Sequence, residues 1–261
     1  LRSCFTVANR RCVPDIIGFS NEIAYIPSGT RLQPVRQPSI DALPPVETVY
    51  CSEGYREGGS SSAVNRVEAA AVVDRIRNIL KDDRYDGLTI GVISLQGQTQ
   101  ADSIQRLLID ELGPEVWAER KLRCGIPSEF QGSERNVILM SMVASLQGEK
   151  SPPAVTADLY LQRYNVAASR AQDQLILFHS IPLEGFTNNE DLRYRLVEYC
   201  TRIAAREHSG VEGATHDLVS ESERDSRFDS LFEQRVHNRL FEHGLTVRPQ
   251  VKQLGYSIDL V

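Results

Sequence analysis

The chain is expected to be an α/β protein: a mostly parallel sheet with helices on both faces. Residues 88–95, 137–143 and 175–178 are near-continuous apolar runs, the pattern of strands covered on both sides. Amphipathic stretches of helical period separate them. Strands alternating with helices imply right-handed crossovers and hence parallel pairing. In such sheets ligands gather at the carboxyl ends of the strands.

In chain order, residues 14–25 read as a helix with Pro14 at a tolerated early position and Ile16, Ile17, Phe19 and Ile23 on its apolar face. Five prolines in residues 26–45 predict a surface excursion. Residues 46–51 form a short strand, and the Gly/Ser-rich residues 54–62 a loop. Asn65 and Glu68 have the spacing of an N-cap and its third-position partner, opening a helix that buries Val67, Val72, Ile76 and Ile79. A helix over residues 98–112 follows the strand at 88–95, with Ala101, Ile104 and Leu108 inward. Strands are expected at 121–126 and 137–143, a loop at 145–157, a helix from Asp158, and a further helix at about 189–205. Residues 206–227 are polar and read as a linker. Residues 228–261 supply a helix and two strands, too little for a core of their own, and are expected to be the front of a truncated second domain. The expected organisation is therefore 1–205, 206–227 and 228–261.

Composition is that of an ordinary globular chain, with 41% hydrophobic and 25% charged residues. No run approaches the roughly 18 apolar residues of a membrane span. Cys4, Cys12, Cys51, Cys124 and Cys200 are odd in number and lack a C-x-x-C pair, so buried free thiols in a reducing cytoplasm are expected. A net charge of −6 argues against a bulk electrostatic grip on nucleic acid but leaves room for a local groove. The opening Leu1-Arg2-Ser3, with neither leader nor initiator Met, suggests a piece of a longer protein.

Arg170 closes the helix from Asp158 and stands just before the strand at 175–178. An arginine there either pairs with a carboxylate at the helix end or presents a fixed cationic fork to a phosphate. Three further segments bear on that choice. Cys124 to Leu139, with Gln131-Gly132-Ser133-Glu134 at its turn, resembles the fifth motif of superfamily 1 helicases. Asn165-Val166-Ala167-Ala168-Ser169-Arg170-Ala171 resembles their sixth motif, and Arg11 shortly before Pro14 resembles their fourth. Val92-Ile93-Ser94-Leu95 with Gln100 resembles the strand-and-glutamine element that follows the fourth motif. These segments occur in the family's order over residues 1 to about 200.

The resemblance is to the second RecA-like motor domain of the branch that includes the nonsense-mediated-decay helicase, a P-loop NTPase-type fold. It implies that Arg11 and Arg170 reach the γ-phosphate of an ATP held with Mg²⁺ by a first RecA-like domain upstream. Gly132 would allow close backbone approach to the nucleotide, Glu134 would bond the ribose, and Gln131 would couple nucleotide and nucleic-acid sites. Ser94 and Gln100 would lie along a single-stranded DNA or RNA track, although Gln100 also fits a solvated first-turn position. No G-x-x-x-x-G-K-[ST] loop occurs in the chain, so alone it is expected not to hydrolyse ATP.

Residues 228–233, 244–250 and 256–261 resemble the start of a restriction-endonuclease-like domain akin to the very-short-patch-repair nucleases. That resemblance implies that Glu233 and Asp259 are two of the carboxylates binding Mg²⁺ for phosphodiester cleavage. The sequence reading is thus an ATP-dependent helicase or translocase with an appended nuclease. Its rivals are a non-hydrolysing nucleic-acid-binding module and a nuclease that the motor merely positions.

Overall fold

The computed structural model describes residues 5–36, 43–59, 62–148, 150–212, 230–242, 249–253 and 256–260. Two compact units divide the chain, Leu1–Ala205 and Arg206–Val261. The first is organised by a five-stranded sheet in the order β3-β7-β6-β4-β5. Its strands are β3 (Val46–Tyr50), β4 (Ile90–Ser94), β5 (Arg123–Gly125), β6 (Arg135–Ser145) and β7 (Ala171–Ser180), and every pairing is parallel. The fold is α/β of RecA-like type, with helices on both faces.

Period-two alternation along the long strands feeds two cores. Ile138, Met140, Leu175 and Leu177 face one side and pack with α1 (Pro14–Ser20), α5 (Asp158–Ala168) and α6 (Leu192–Glu212). Val137, Leu139, Ile176 and Phe178 face the other, against α2 (Arg66–Ile79) and α3 (Gln98–Glu111). Because both faces are covered, the strand sequences read as unbroken apolar runs.

Several local expectations need correction. The excursion at 26–45 contains β2 (Thr30–Pro34), which pairs in parallel with β1 (Phe5–Asn9) in a separate two-stranded sheet. This small sheet is fixed by Asn21, whose amide donates to Leu32 O and accepts from Leu32 N, both at 2.8 Å, as a neighbouring strand would. Asn21 itself lies in a π-helical turn, Asn21–Tyr25, that continues α1. A short helix, α4 (Pro114–Glu119), precedes β5, which is shorter than expected. The last helix of this unit runs on to Glu212, seven residues into the expected linker. In the second unit α7 (Leu231–Glu242) accompanies an antiparallel pair, β8 (Pro249–Gln253) and β9 (Tyr256–Leu260). The connections at 243–248 and 254–255 lie outside the described residues.

The start of α6 is tied to the preceding loop by a buried ion pair. Arg193 Nη2 lies 2.5 Å from Asp191 Oδ2 and also donates to Pro153 O at 2.7 Å. Removing one partner of such a pair strands a charge in the interior, which costs about 3–5 kcal/mol. Asp191→Ala is therefore expected to lower the unfolding free energy by that order in urea titration; an effect below about 1 kcal/mol would show that the pair does not hold the helix start.

Candidate functional site

Parallel pairing gives the sheet an amino edge and a carboxyl edge, and each carries a polar cluster. At the amino edge Arg135 pairs with Ala171, and Arg135 N donates to Arg170 O at 3.1 Å. That register brings Glu134 and Arg170, the residues just before β6 and β7, side by side. Asn9 Oδ1 accepts from the backbone of Arg11 and Cys12, fixing the loop that leads into α1. Val13 N then donates to Gln172 O, docking that loop on the start of β7.

Glu134 is the hub. Its Oε1 lies 3.0 Å from Arg11 Nε and its Oε2 accepts from Gln172 at 3.2 Å. The neighbouring Arg135 does not pair with it among the described residues but donates to Lys121 O, Ser133 Oγ and Glu134 O. Arg36 and Asp173 pair alongside at 2.5 Å. Burial pushes the Cys12 thiol up to about 12, with Glu134 adding to the shift while Arg170, Arg11 and Arg36 oppose it. All four charged groups therefore act electrostatically on one buried sulfur.

Arg170 is the unusual member. It is only 9% exposed, yet its guanidinium turns back on its own helix end, donating to Val166 O at 3.2 Å and Ser169 Oγ at 3.4 Å. Among the described residues no carboxylate pairs with it, so the helix-end salt bridge is not its role. A buried guanidinium with neutral partners only keeps its full charge for an anion.

Gln131 and Gly132 form a tight turn between β5 and β6. Gln131 has φ −60° and ψ 124°, Gly132 has φ +73°, and Ser133 N donates to Phe130 O, the geometry of a type II turn. Glycine is required there by the backbone angle, and nothing of the chain lies within 4 Å of where its Cβ would stand.

These residues sit at the amino ends of β6 and β7, not at the carboxyl ends where such sheets ordinarily bind ligands. The carboxyl edge holds the second cluster, centred on Glu68. Asn65 caps α2 as expected, accepting from Glu68 N at 3.1 Å. The Glu68 side chain, however, does not cap. It is fully buried and accepts from Ser141 Oγ (2.6 Å), Val143 N (2.8 Å) and Ser180 Oγ (2.7 Å). The carboxylate thus ties the ends of β6 and β7 to α2, at a break in the β6–β7 register. It also holds Val143 at φ +68°, a strained conformation for a β-branched residue.

Gln100 and Ser94 belong to this second cluster. Gln100 exchanges two hydrogen bonds with the backbone of Asn65 and donates to Ser141 Oγ, and Ser94 Oγ donates to Gly97 O. Both side chains are fully buried, so they offer no direct surface to a nucleic-acid strand, and Gln100 is not a solvated residue either.

In the second unit Glu233 accepts from Ser230 Oγ at 2.6 Å while Ser230 Oγ accepts from Glu233 N at 3.2 Å. This is a capping pair at the start of α7. Asp259 lies in β9, and its side chain is outside the described residues. Among the described residues no group of three or more His, Cys, Asp or Glu side chains is arranged to hold a metal. Nor, among them, is any helix long and apolar enough to cross a membrane.

An AAA domain family model matches residues 5–181. The chain belongs to this family. With the parallel sheet and the ordered clusters, the match makes it a helicase-type RecA-like domain, of a class that uses NTP in work on nucleic acid and draws on ATP and Mg²⁺. The matched span takes in both edge clusters and ends at Ile181, just beyond β7.

The Glu68 cluster has a measurable consequence. Burial raises its carboxyl to about 7 from an ordinary 4.5, against the lowering effect of its hydrogen bonds to Ser141, Val143 and Ser180. The folded chain thus holds this proton more tightly than the unfolded chain. The resulting stability is fully present below the ordinary value and is lost as pH rises through about 7, a change of ~3 kcal/mol. Denaturation measured across that window should show wild-type stability falling relative to Glu68→Gln, and parallel pH profiles would refute a buried titrating Glu68.

Proposed function

We propose that this chain is the second motor domain of an ATP-dependent helicase or translocase, acting on ATP bound to another RecA-like domain. The observation that carries the reading is Arg170, a buried guanidinium without a carboxylate partner among the described residues, next to Arg11, Glu134 and the Gln131–Gly132 turn. Two arginines converging on one edge suit a polyphosphate, and the open space above Gly132 suits a nucleotide lying against the turn. Among the described residues no group of three or more His, Cys, Asp or Glu side chains is arranged to hold Mg²⁺, which would come with ATP on the other domain.

ATP supplies the transferable phosphoryl group. Arg170 stabilises the charge that spreads over the equatorial oxygens during transfer, and its packing against the Val166 and Ser169 end of α5 fixes its direction. Arg11 is exposed and exchanges Glu134 for a phosphate oxygen, which frees Glu134 to accept a hydrogen bond from a ribose hydroxyl. Because the arginines and the nucleotide belong to different domains, turnover depends on closure of the cleft between them. Gln131, exposed at the turn, is positioned to report nucleotide occupancy to the rest of the domain.

In the protein carrying the nucleotide-holding domain, Arg170→Ala is expected to lower kcat by ~10³-fold or more with little change in nucleotide affinity. Arg170→Lys should rescue poorly, since a point charge does not replace a fork. Turnover within a fewfold of wild type in Arg170→Ala would reject the motor reading. The 261-residue chain alone is expected to show no ATPase above background.

A further inference from the structure

The loop between β3 and α2 is Gly/Ser-rich, yet it is built into the carboxyl edge. Cys51 N donates to His179 O at 2.8 Å and Gly54 N to Cys51 O at 2.9 Å. Arg56 N donates to Ser145 Oγ at 2.8 Å, and Glu57 and Val64 exchange two backbone hydrogen bonds that close the loop. Gly54 lies so close to Ser180 that a side chain there would run into its Oγ. The loop is thereby seated on the last residues of β6 and β7, and it shares Ser180 with the Glu68 cluster.

What this seating presents is two aromatic rings and a cation. Tyr55 is 57% exposed and Tyr50 is 50% exposed, the latter tilted against His179 with ring centroids 5.3 Å apart. Directly after Tyr55, the backbone of Arg56 is anchored; its side chain is half-buried, with Nε buried and without a hydrogen-bond partner among the described residues. An exposed phenol ring on a fixed backbone, followed in the chain by a partly exposed arginine, is the combination that grips single strands. The ring stacks on a base of any sequence while the cation meets the backbone phosphate. A net charge of −6 makes such a local device necessary, because the chain as a whole repels a polyanion.

We infer that the loop bearing Tyr55 and Arg56 is a contact platform for single-stranded nucleic acid, with Tyr55 stacking on a base and Arg56 holding the adjacent phosphate. This inference rests on the helicase-type reading and gives its nucleic-acid track a location: the surface of the carboxyl edge, one sheet-length from the arginine cluster. Ser94 and Gln100 then act beneath that surface as positioning residues.

The test is fluorescence anisotropy of the full 261-residue chain with labelled single-stranded dT₂₀ and rU₂₀ at low salt, for the unaltered protein and for Tyr55→Ala, Tyr55→Phe and Arg56→Gln. Tyr55→Ala should weaken binding about tenfold or more, while Tyr55→Phe, which keeps the ring, stays within about twofold of the unaltered chain. Arg56→Gln should weaken binding and flatten its salt dependence by about one phosphate contact. Thermal melting of each variant checks that the fold is unchanged. If the unaltered chain binds and neither Tyr55→Ala nor Arg56→Gln weakens it, the platform is refuted and the track lies elsewhere. If the unaltered chain binds neither oligonucleotide, the nucleic-acid reading of this domain fails, and the platform with it.

Discussion

The parallel ladder between β6 and β7 is the constraint on which the rest depends. Its register, Arg135 opposite Ala171, sets Glu134 beside Arg170 at one end and the Ser141–Ser145 region beside Ser180 at the other. Antiparallel pairing would have mixed the two clusters on each edge. Parallel pairing keeps them apart by the length of a strand, roughly 23 Å over the seven residues from Glu134 to Ser141. Both faces of the ladder are sealed by helices, so chemistry is confined to its edges.

The two edges differ in their electrostatics. At the amino edge charge is left accessible: Arg11 and Glu134 meet in a partly exposed pair, and Arg170 is buried but not neutralised. At the carboxyl edge charge is suppressed. Glu68 is enclosed by hydroxyl and amide donors, and its raised pKa reflects burial that those donors only partly offset. One edge leaves cationic groups uncompensated among the described residues, the other encloses its acid in a polar cage.

Much of this was readable in the sequence, and the exceptions have physical causes. The long strands announced themselves because two-sided burial demands apolar residues at every position. Gln131, Gly132, Glu134, Arg11 and Arg170 were picked out by motif, and the structure gathers them at one edge, although their partners were not readable: Glu134 pairs with Arg11, 123 positions away in the chain, and no local pattern encodes that contact. Glu68 was mistaken for a capping residue because its spacing from Asn65 fits that role, whereas its carboxylate is captured by strands more than 70 residues later. The signal available was its setting, an acid on the apolar face of α2. β1 and β2 were missed because they are short and face solvent, so neither carries the apolar run of a core strand. The extension of α6 past Ala205 was missed because residues 206–212 lack apolar periodicity while still permitting helix.

Val143 carries a consequence for how the molecule assembles. Its left-handed backbone is unfavourable for a β-branched residue, and the Glu68 carboxylate that accepts its N–H comes from a helix 75 residues earlier in the chain. Until α2 docks, the end of β6 therefore has no reason to adopt that bend, and closing so long a loop must precede it. The interior of the ladder can zip on apolar contacts alone, whereas its carboxyl end waits for a polar contact from a distant element. The shape of the carboxyl edge thus depends on one helix that the interior of the ladder does not need.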